Sequence, residues 1–149
     1  MRGHPWAVLT QTGMFRISFT ADPVELIFFR GGLNQWLIGL QWPEPDRIDA
    51  VLAVSEACDN CVRHAYRADR EGEVEVTGRL TVDPAGRRIV VVVRDRGQRE
   101  AGRTGRGFGM TTMRACMDQV KIRHRPAGTV VTMTSRPVPV LEAPTADDG

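Results

Sequence analysis

The stretch SEACDNCVRHAY, residues 55–66, decides how this chain is interpreted. Glu56, Asn60 and His64 recur every four positions inside an apolar helical pattern, so a helix here would carry all three side chains on one face. A carboxylate can orient or deprotonate a hydroxyl, and an amide oxygen is a hard, neutral ligand that suits Mg²⁺ beside phosphates. The spacing fits phosphate chemistry, although an ordinary amphipathic helix with these residues on its polar face explains it as well.

A buried strand is predicted by the β-branched run from Ile89 to Val93, which leads into Asp95 and Gly97. An aspartate at a strand exit can accept a hydrogen bond from an exocyclic amine such as that of adenine. A glycine after it lets the backbone approach a base closely. Aspartate and glycine also end strands simply because they form turns, so the pattern alone leaves both interpretations open.

A glycine loop that opens a helix is predicted at residues 105–109, GRGFG, because an apolar periodic segment follows directly. The first turn of such a helix presents unpaired N–H groups and the positive end of the helix dipole, which together favour anions. The side chains of Arg99, Arg103 and Arg106 could add forked donors to phosphate oxygens. A flexible linker also explains the glycines, but it does not explain their position after Asp95.

The order of these parts is informative: a Glu-x-x-x-Asn-x-x-x-His helix, a strand ending in Asp-x-Gly, Gly-x-Gly-x-Gly before a helix, and Gly128-Thr129 before a last strand. This order resembles the GHKL ATPase superfamily, whose members have a histidine-kinase-like ATPase domain. Within the superfamily, the chain resembles the stand-alone anti-sigma factor serine kinases of bacteria. The resemblance covers about residues 14–135.

The resemblance implies that the chain binds ATP and Mg²⁺. Glu56 would be the catalytic base or the group that orients a hydroxyl, and Asn60 would be the Mg²⁺ ligand. The further nucleotide contacts that it implies are His64 beside the site, Asp95 on the adenine amino group, Gly97 beside the base, Thr129 supporting the adenine contact, and Arg103, Arg106, Gly107 and Gly109 at the phosphates. Residues 98–106 would be a mobile lid.

The chain departs from the family's pattern at two points. Arg99 stands where the second glycine of Asp-x-Gly-x-Gly is usual, which affects how the lid begins. The arginine that contacts the terminal phosphate has two candidates, Arg103 and Arg106, which flank Gly105.

The fold class expected is α/β, an α+β two-layer sandwich in which a mixed, mostly antiparallel sheet carries helices on one face, the GHKL or Bergerat ATP-binding fold. The predicted elements are a strand at 14–19, helices at about 22–40 and up to about 68, strands at 72–82 and 87–94, a helix at about 107–118, and a hairpin of 119–125 and 129–135. We expect an N-terminal extension at 1–13, the ATPase domain at 14–135 and a disordered tail at 136–149. Either Met1 or Met14 could be the natural start.

Length and composition restrict the remaining possibilities. A chain of 149 residues is long enough for one core but not for two. The formal net charge of +2 and the lack of a basic stripe argue against direct nucleic-acid binding. Neither a membrane-spanning stretch nor a signal peptide is evident, so we expect a cytoplasmic protein. The Cys58-x-x-Cys61 pair has no second pair, which favours small buried hydrophobes over a metal site.

The function implied by the resemblance is that of an ATP-dependent anti-sigma factor and protein-serine kinase. Such a protein binds a sigma factor and phosphorylates a serine of an anti-anti-sigma protein of the STAS type, and a homodimer is possible. The alternative is a non-catalytic ATP-binding regulatory module that sequesters a protein partner, which the departure at Arg99 favours. ATP hydrolysis that drives a conformational change, as in larger relatives, is a third interpretation, but the chain lacks their accessory domains.

Overall fold

An antiparallel sheet positions the candidate site. The structure, a computed structural model, describes residues 9–11, 13–65, 72–96 and 108–142. Within these ranges the sheet has six strands, in the spatial order β1-β2-β3-β4-β6-β5, and every pairing is antiparallel. The strands are β1 (Leu9–Gln11), β2 (Met14–Thr20), β3 (Glu73–Asp83), β4 (Gly86–Asp95), β5 (Gln119–Arg125) and β6 (Gly128–Thr134).

Three helices accompany the sheet: α1 (Pro23–Gly39), α2 (Glu44–Asn60) and α3 (Phe108–Cys116). Helix α1 begins where expected, because the Asp22 side chain accepts a hydrogen bond of 2.9 Å from the Val24 N–H and proline occupies the first turn. Among the described residues, no helix is both long and apolar enough to cross a membrane.

The helices cover one face of the sheet only. Along β2 the buried positions alternate with more exposed ones, and the buried set, Phe15, Ile17 and Phe19, pairs with the buried positions of β3. Phe19 stacks on Phe29 of α1 with ring centroids 5.1 Å apart. Such alternation places the core between sheet and helices, and among the described residues it leaves the other face open. The predicted two-layer sandwich is confirmed.

One glycine of β3 makes room for an aromatic ring of α1. A Cβ on Gly78 would lie 2.8 Å from the Trp36 ring, closer than real Cβ contacts come, so the bare backbone lets the indole pack directly on the strand. Trp36 also lies 5.4 Å from Phe15, measured between ring centroids. The packing of α1 on the sheet therefore depends on a position without a side chain.

The structure departs from the expected disordered tail at Val138. This residue is 2% exposed and exchanges two backbone hydrogen bonds of 2.8 Å with Arg87 of β4. The buried Arg87 guanidinium donates to the carbonyls of Leu40 at 2.6 Å and Pro139 at 2.9 Å, and lies 5.1 Å from the centroid of the Trp42 ring. These bonds tie the end of the chain to the end of α1, whereas residues 143–149 lie outside the described ranges. In the other predicted extension, 1–13, the structure finds β1.

Candidate functional site

Asp95 is the buried acid of the site. It is the last residue of β4 and is 5% exposed, and it continues the alternate buried positions of that strand. Its side chain therefore lies on the face that the helices cover. Directly opposite in the ladder is Thr129 of β6, whose N–H donates to Asp95 Oδ1 at an N···O distance of 3.4 Å. The sheet thus holds a desolvated carboxylate at the point where two strands end.

The end of α2 reaches the other oxygen of this carboxylate. Cys61 follows Asn60 directly, is 2% exposed, and places its Sγ 3.2 Å from Asp95 Oδ2 as a hydrogen-bond donor. The same Sγ lies 3.3 Å from the Ala57 carbonyl oxygen, one helical turn back. The sulfur therefore connects the helix layer to the sheet layer at the candidate site.

Thr129 is held from both of its neighbouring strands. It is 2% exposed, and its Oγ1 lies 3.4 Å from Nδ1 of His124, the residue opposite it on β5. Which of the two atoms donates depends on the imidazole tautomer. A buried hydroxyl with such a neighbour keeps one orientation, so Thr129 is suited to a supporting contact beside Asp95.

The turn before Thr129 brings two backbones into close contact. Gly128 has φ +140°, and a Cβ there would lie 1.9 Å from the Asp95 carbonyl oxygen and 2.8 Å from Arg96 Cα. Only glycine fits this approach without moving the end of β4. The Gly128-Thr129 pair thus fixes the backbone that carries Asp95.

Glu56 and Asn60 lie one turn apart on α2, as the sequence predicted, and both are half-buried. Ala57 and Cys61, their next neighbours along the chain, are buried. The carboxylate and the amide therefore stand at the edge of the buried side of α2, on the same stretch of helix that contacts Asp95. Both groups are therefore partly exposed on the part of α2 that leads into Cys61.

His64 does not continue the regular spacing of Glu56 and Asn60. The α-helix ends at Asn60, and residues Cys61–Ala65 form a π-helical turn, in which hydrogen bonds run from i to i+5. The prediction of an α-helix to about residue 68 is therefore wrong after Asn60, and residues 66–71 lie outside the described ranges. The side chain of His64 is not described, so its place beside Glu56 and Asn60 stays a prediction.

The phosphate end of the predicted site is described only in part. Gly97, Arg103, Arg106 and Gly107 lie outside the described residues, as do positions 98–106 of the predicted lid. Gly109 lies in the first turn of α3, which packs against α2. The described part of the site therefore consists of the adenine end, with Asp95 and Thr129, and the α2 residues beside it.

Two cavities lie mainly on the open face of the sheet. One of about 240 Å³ is lined by charged side chains that include Glu73, Glu75 and Arg94, and one of about 430 Å³ includes Arg79 and Val92. On β3 and β4 these side chains alternate with the buried positions that face the helices. Both cavities therefore open mainly on the uncovered face, and the smaller one also reaches Asp95 and Gly128 of the candidate site.

Sequence reasoning missed three contacts of the site: those of Cys61 and Gly128 with Asp95, and that of His124 with Thr129. Cys61 has the pattern of a small core residue, and Cys58 is indeed a core residue with 0% exposure, whose burial raises the pKa of its thiol. The position of Gly128 beside Thr129 was noticed, but not its contact with Asp95. No local pattern predicts contacts between residues more than thirty positions apart.

Comparison with known proteins agrees with this geometry. The model of the family described as "Histidine kinase-like ATPase domain" matches residues 19–135. The chain is 34% identical over 143 residues to the serine-protein kinase RsbW of Bacillus velezensis, which covers 84% of this chain and 86% of that protein. It is 33% identical over 104 residues to the serine-protein kinase RsbW of Bacillus subtilis, which covers 58% of this chain and 62% of that protein.

A solved structure is also similar. The crystal structure of the RsbU and RsbW domains of a Mycobacterium tuberculosis protein superimposes with a TM-score of 0.65 at 26% identity. The match covers 87% of this chain but 34% of that one, so the chain spans about a third of the two-domain protein and less than two thirds of the Bacillus subtilis relative. The match of the family model over most of the chain confirms what the sequence motifs indicated: this chain belongs to the histidine kinase-like ATPase domain family.

Proposed function

We propose that the chain is an ATP-dependent protein-serine kinase that also acts as an anti-sigma factor. The observation that carries this proposal is the Asp95 carboxylate, buried at the end of β4, contacted by Thr129 and Cys61, and adjoined by the half-buried Asn60 and Glu56 of α2. A carboxylate at the end of β4 can accept a hydrogen bond from a donor on a ligand, and such a bond is electrostatically stronger in a buried site than in water.

Adenine suits this environment. Its exocyclic amine donates, and a carboxylate, whose two oxygens together offer about four acceptor positions, can accept that bond beside the contacts from Thr129 and Cys61. The Thr129 hydroxyl, held near His124, would support the base from the adjacent strand. These residues fit the adenine end of ATP, and Gly97 would give the base room.

The contacts proposed for the phosphates of ATP are based on the family pattern and on the residues of α2. ATP, when bound with Mg²⁺, supplies a transferable phosphoryl group. Asn60 would offer its amide oxygen to Mg²⁺, and Glu56 would orient or deprotonate the acceptor hydroxyl. His64 would lie beside them. The phosphates would be held by Arg103 or Arg106, with Gly107 and Gly109 at the start of α3.

The proposed partners come from the relatives. Those relatives are named serine-protein kinases, and the phosphoryl acceptor we propose is a serine of a STAS-type anti-anti-sigma protein. The same chain would sequester a sigma factor when the acceptor is absent. We also propose a cytoplasmic location and a homodimer.

The test begins with nucleotide binding. Calorimetry with ATP should give micromolar affinity that requires Mg²⁺ and that Asp95→Asn abolishes, because the amide places a donor against the adenine amine. No binding by the wild type would refute the nucleotide site itself.

The second step measures transfer of labelled phosphate from ATP to a STAS-type protein. Glu56→Gln should bind ATP like the wild type and lose transfer, while Glu44→Gln at the exposed beginning of α2 should retain both. Full transfer by the Glu56→Gln variant would remove Glu56 from the catalytic role.

The alternative function is a non-catalytic ATP-binding module that sequesters a protein partner. Arg99 favours it, because an arginine in place of the second glycine changes how the lid begins. ATP binding by the wild type without transfer to any acceptor, with Asp95→Asn still abolishing the binding, would support this module over the kinase.

A further inference from the structure

The thiol against Asp95 suggests a role beyond packing. We propose that Cys61 is a positioning residue that fixes the Asp95 carboxylate and thereby sets the preference for a base with an exocyclic amine. This inference rests on the proposed function, since it assumes that Asp95 contacts the base of ATP.

Each oxygen of the Asp95 carboxylate is in contact with a donor. The Thr129 N–H approaches Oδ1 at 3.4 Å from the sheet, and Cys61 Sγ approaches Oδ2 at 3.2 Å from the end of α2. Two contacts from different layers define the plane of a carboxylate, which a single contact does not. A thiol is a weak donor, so it orients the carboxylate without using up its capacity to accept from a ligand.

The Cys61 thiol lies within hydrogen-bond distance of two oxygens. Cys61 Sγ is 3.3 Å from the Ala57 carbonyl and 3.2 Å from Asp95 Oδ2. A carboxylate attracts a proton donor more strongly than an amide carbonyl does, so the contact with Asp95 is the stronger of the two. Cys61 is 2% exposed, so its contact with Asp95 is shielded from solvent.

A fixed carboxylate discriminates between bases better than a mobile one. Adenine offers an amine where hypoxanthine offers a carbonyl oxygen, which cannot donate and meets the Asp95 oxygens with like partial charge. If the carboxylate can turn away, the penalty for the wrong base falls, and so does the gain from the right one. Loss of the Cys61 contact should therefore reduce selectivity rather than only affinity.

The experiment compares the affinities of ATP and ITP for the wild type and three variants. Cys61→Ala should reduce the ratio of ATP to ITP affinity by about tenfold, the scale of one hydrogen bond to a charged group. Cys61→Ser, which keeps a donor, should lie closer to the wild type than to the alanine variant. Cys58→Ala, which removes a core thiol one turn away, should leave the ratio unchanged. A loss of folding lowers both affinities together and does not change their ratio.

The outcomes separate the two proposals. If the wild type prefers ATP and Cys61→Ala keeps the same ratio, the positioning role is overturned while the nucleotide site stands. If the wild type binds neither nucleotide, the proposed function fails, and the role of Cys61 fails with it. Should Cys61→Ala not fold, Cys61→Val fills most of the volume without a donor and is expected to give the same tenfold loss.

Discussion

Replacing Gly128 by alanine tests whether the backbone contact between β6 and β4 holds Asp95 in place. The change adds one methyl group and no charge. A Cβ at this position would lie 1.9 Å from the Asp95 carbonyl oxygen, whereas real Cβ atoms essentially never approach a neighbour below 3.0 Å. The two backbones must therefore separate by about 1.1 Å at the point where Asp95 ends its strand.

The chain contains a matched control in Gly86, at the other end of β4. Its φ is +135° against +140° for Gly128, and its Cβ would lie 2.3 Å from the Val138 carbonyl oxygen, so that contact must open by about 0.7 Å. Alanine in such a backbone conformation costs about 1–3 kcal/mol at either position, before any relief of the clash. We expect similar losses in the free energy of unfolding for the two variants, but a displaced carboxylate in Gly128→Ala only.

The assay is calorimetric titration with ATP and Mg²⁺ at a temperature where urea unfolding shows both variants to be folded. Gly128→Ala should weaken ATP binding by at least about tenfold, the cost of losing one hydrogen bond to a charged group. Gly86→Ala should bind as the wild type does. Equal ATP affinities for the two folded variants would refute the argument that Gly128 positions Asp95.

Two further predictions concern stability and are checked by urea unfolding followed by circular dichroism. Arg87→Ala should lower the free energy of unfolding by about 2–4 kcal/mol, because it removes a buried guanidinium that donates to the carbonyls of Leu40 and Pro139. Its control is Arg94→Ala on the open face, which should stay within about 0.5 kcal/mol of the wild type. A loss below 1 kcal/mol for Arg87→Ala would contradict the first expectation. Gly78→Ala should cost about 1–3 kcal/mol because its methyl group meets the Trp36 ring, while Gly31→Ala, with open space around its Cβ, should be neutral or stabilising by up to about 1 kcal/mol. Equal stabilities of the two glycine variants would refute the packing of the indole on β3.

Sequence reasoning located the elements of this fold well because their signals are local. The alternation in β2, the β-branched run of β4 and the Asp22-Pro23 start of α1 each follow from the chemistry of a few adjacent residues. The position of Glu56 one turn before Asn60 likewise follows from the helical repeat alone. What the sequence did not predict depends on long-range contacts: the Val138 bridge to Arg87 joins positions about fifty residues apart.

The π-helical turn was unpredictable for a different reason. It differs from α-helix by a shift of one residue in the hydrogen-bond pattern, and no residue type in Cys61–Ala65 demands that shift. Its consequence for the site is that the α-helix ends at Asn60 and that Cys61 lies at the junction, in contact with Asp95. The α-helical spacing that the sequence predicted therefore applies to Glu56 and Asn60, and the place of His64 stays a prediction.

The succession of Glu56, Asn60 and Cys61 along the chain has a mechanical consequence for the proposed kinase. The residues proposed for the acceptor hydroxyl and Mg²⁺ lie in the last turns of α2, and Cys61, which contacts Asp95, follows directly in the π-helical turn. A movement of α2 relative to β4 would therefore change recognition of the base and positioning of the phosphates together. Changes confined to Asp95 or to Glu56 should separate the two effects, because each alters only one end of the ligand. Ala57, which follows Glu56 in α2, lies on the buried side of the helix at 1% exposure. A larger side chain there, as in Ala57→Leu, would therefore move the helix. That variant should therefore lose nucleotide affinity and phosphoryl transfer at once, whereas Glu56→Gln should lose transfer alone.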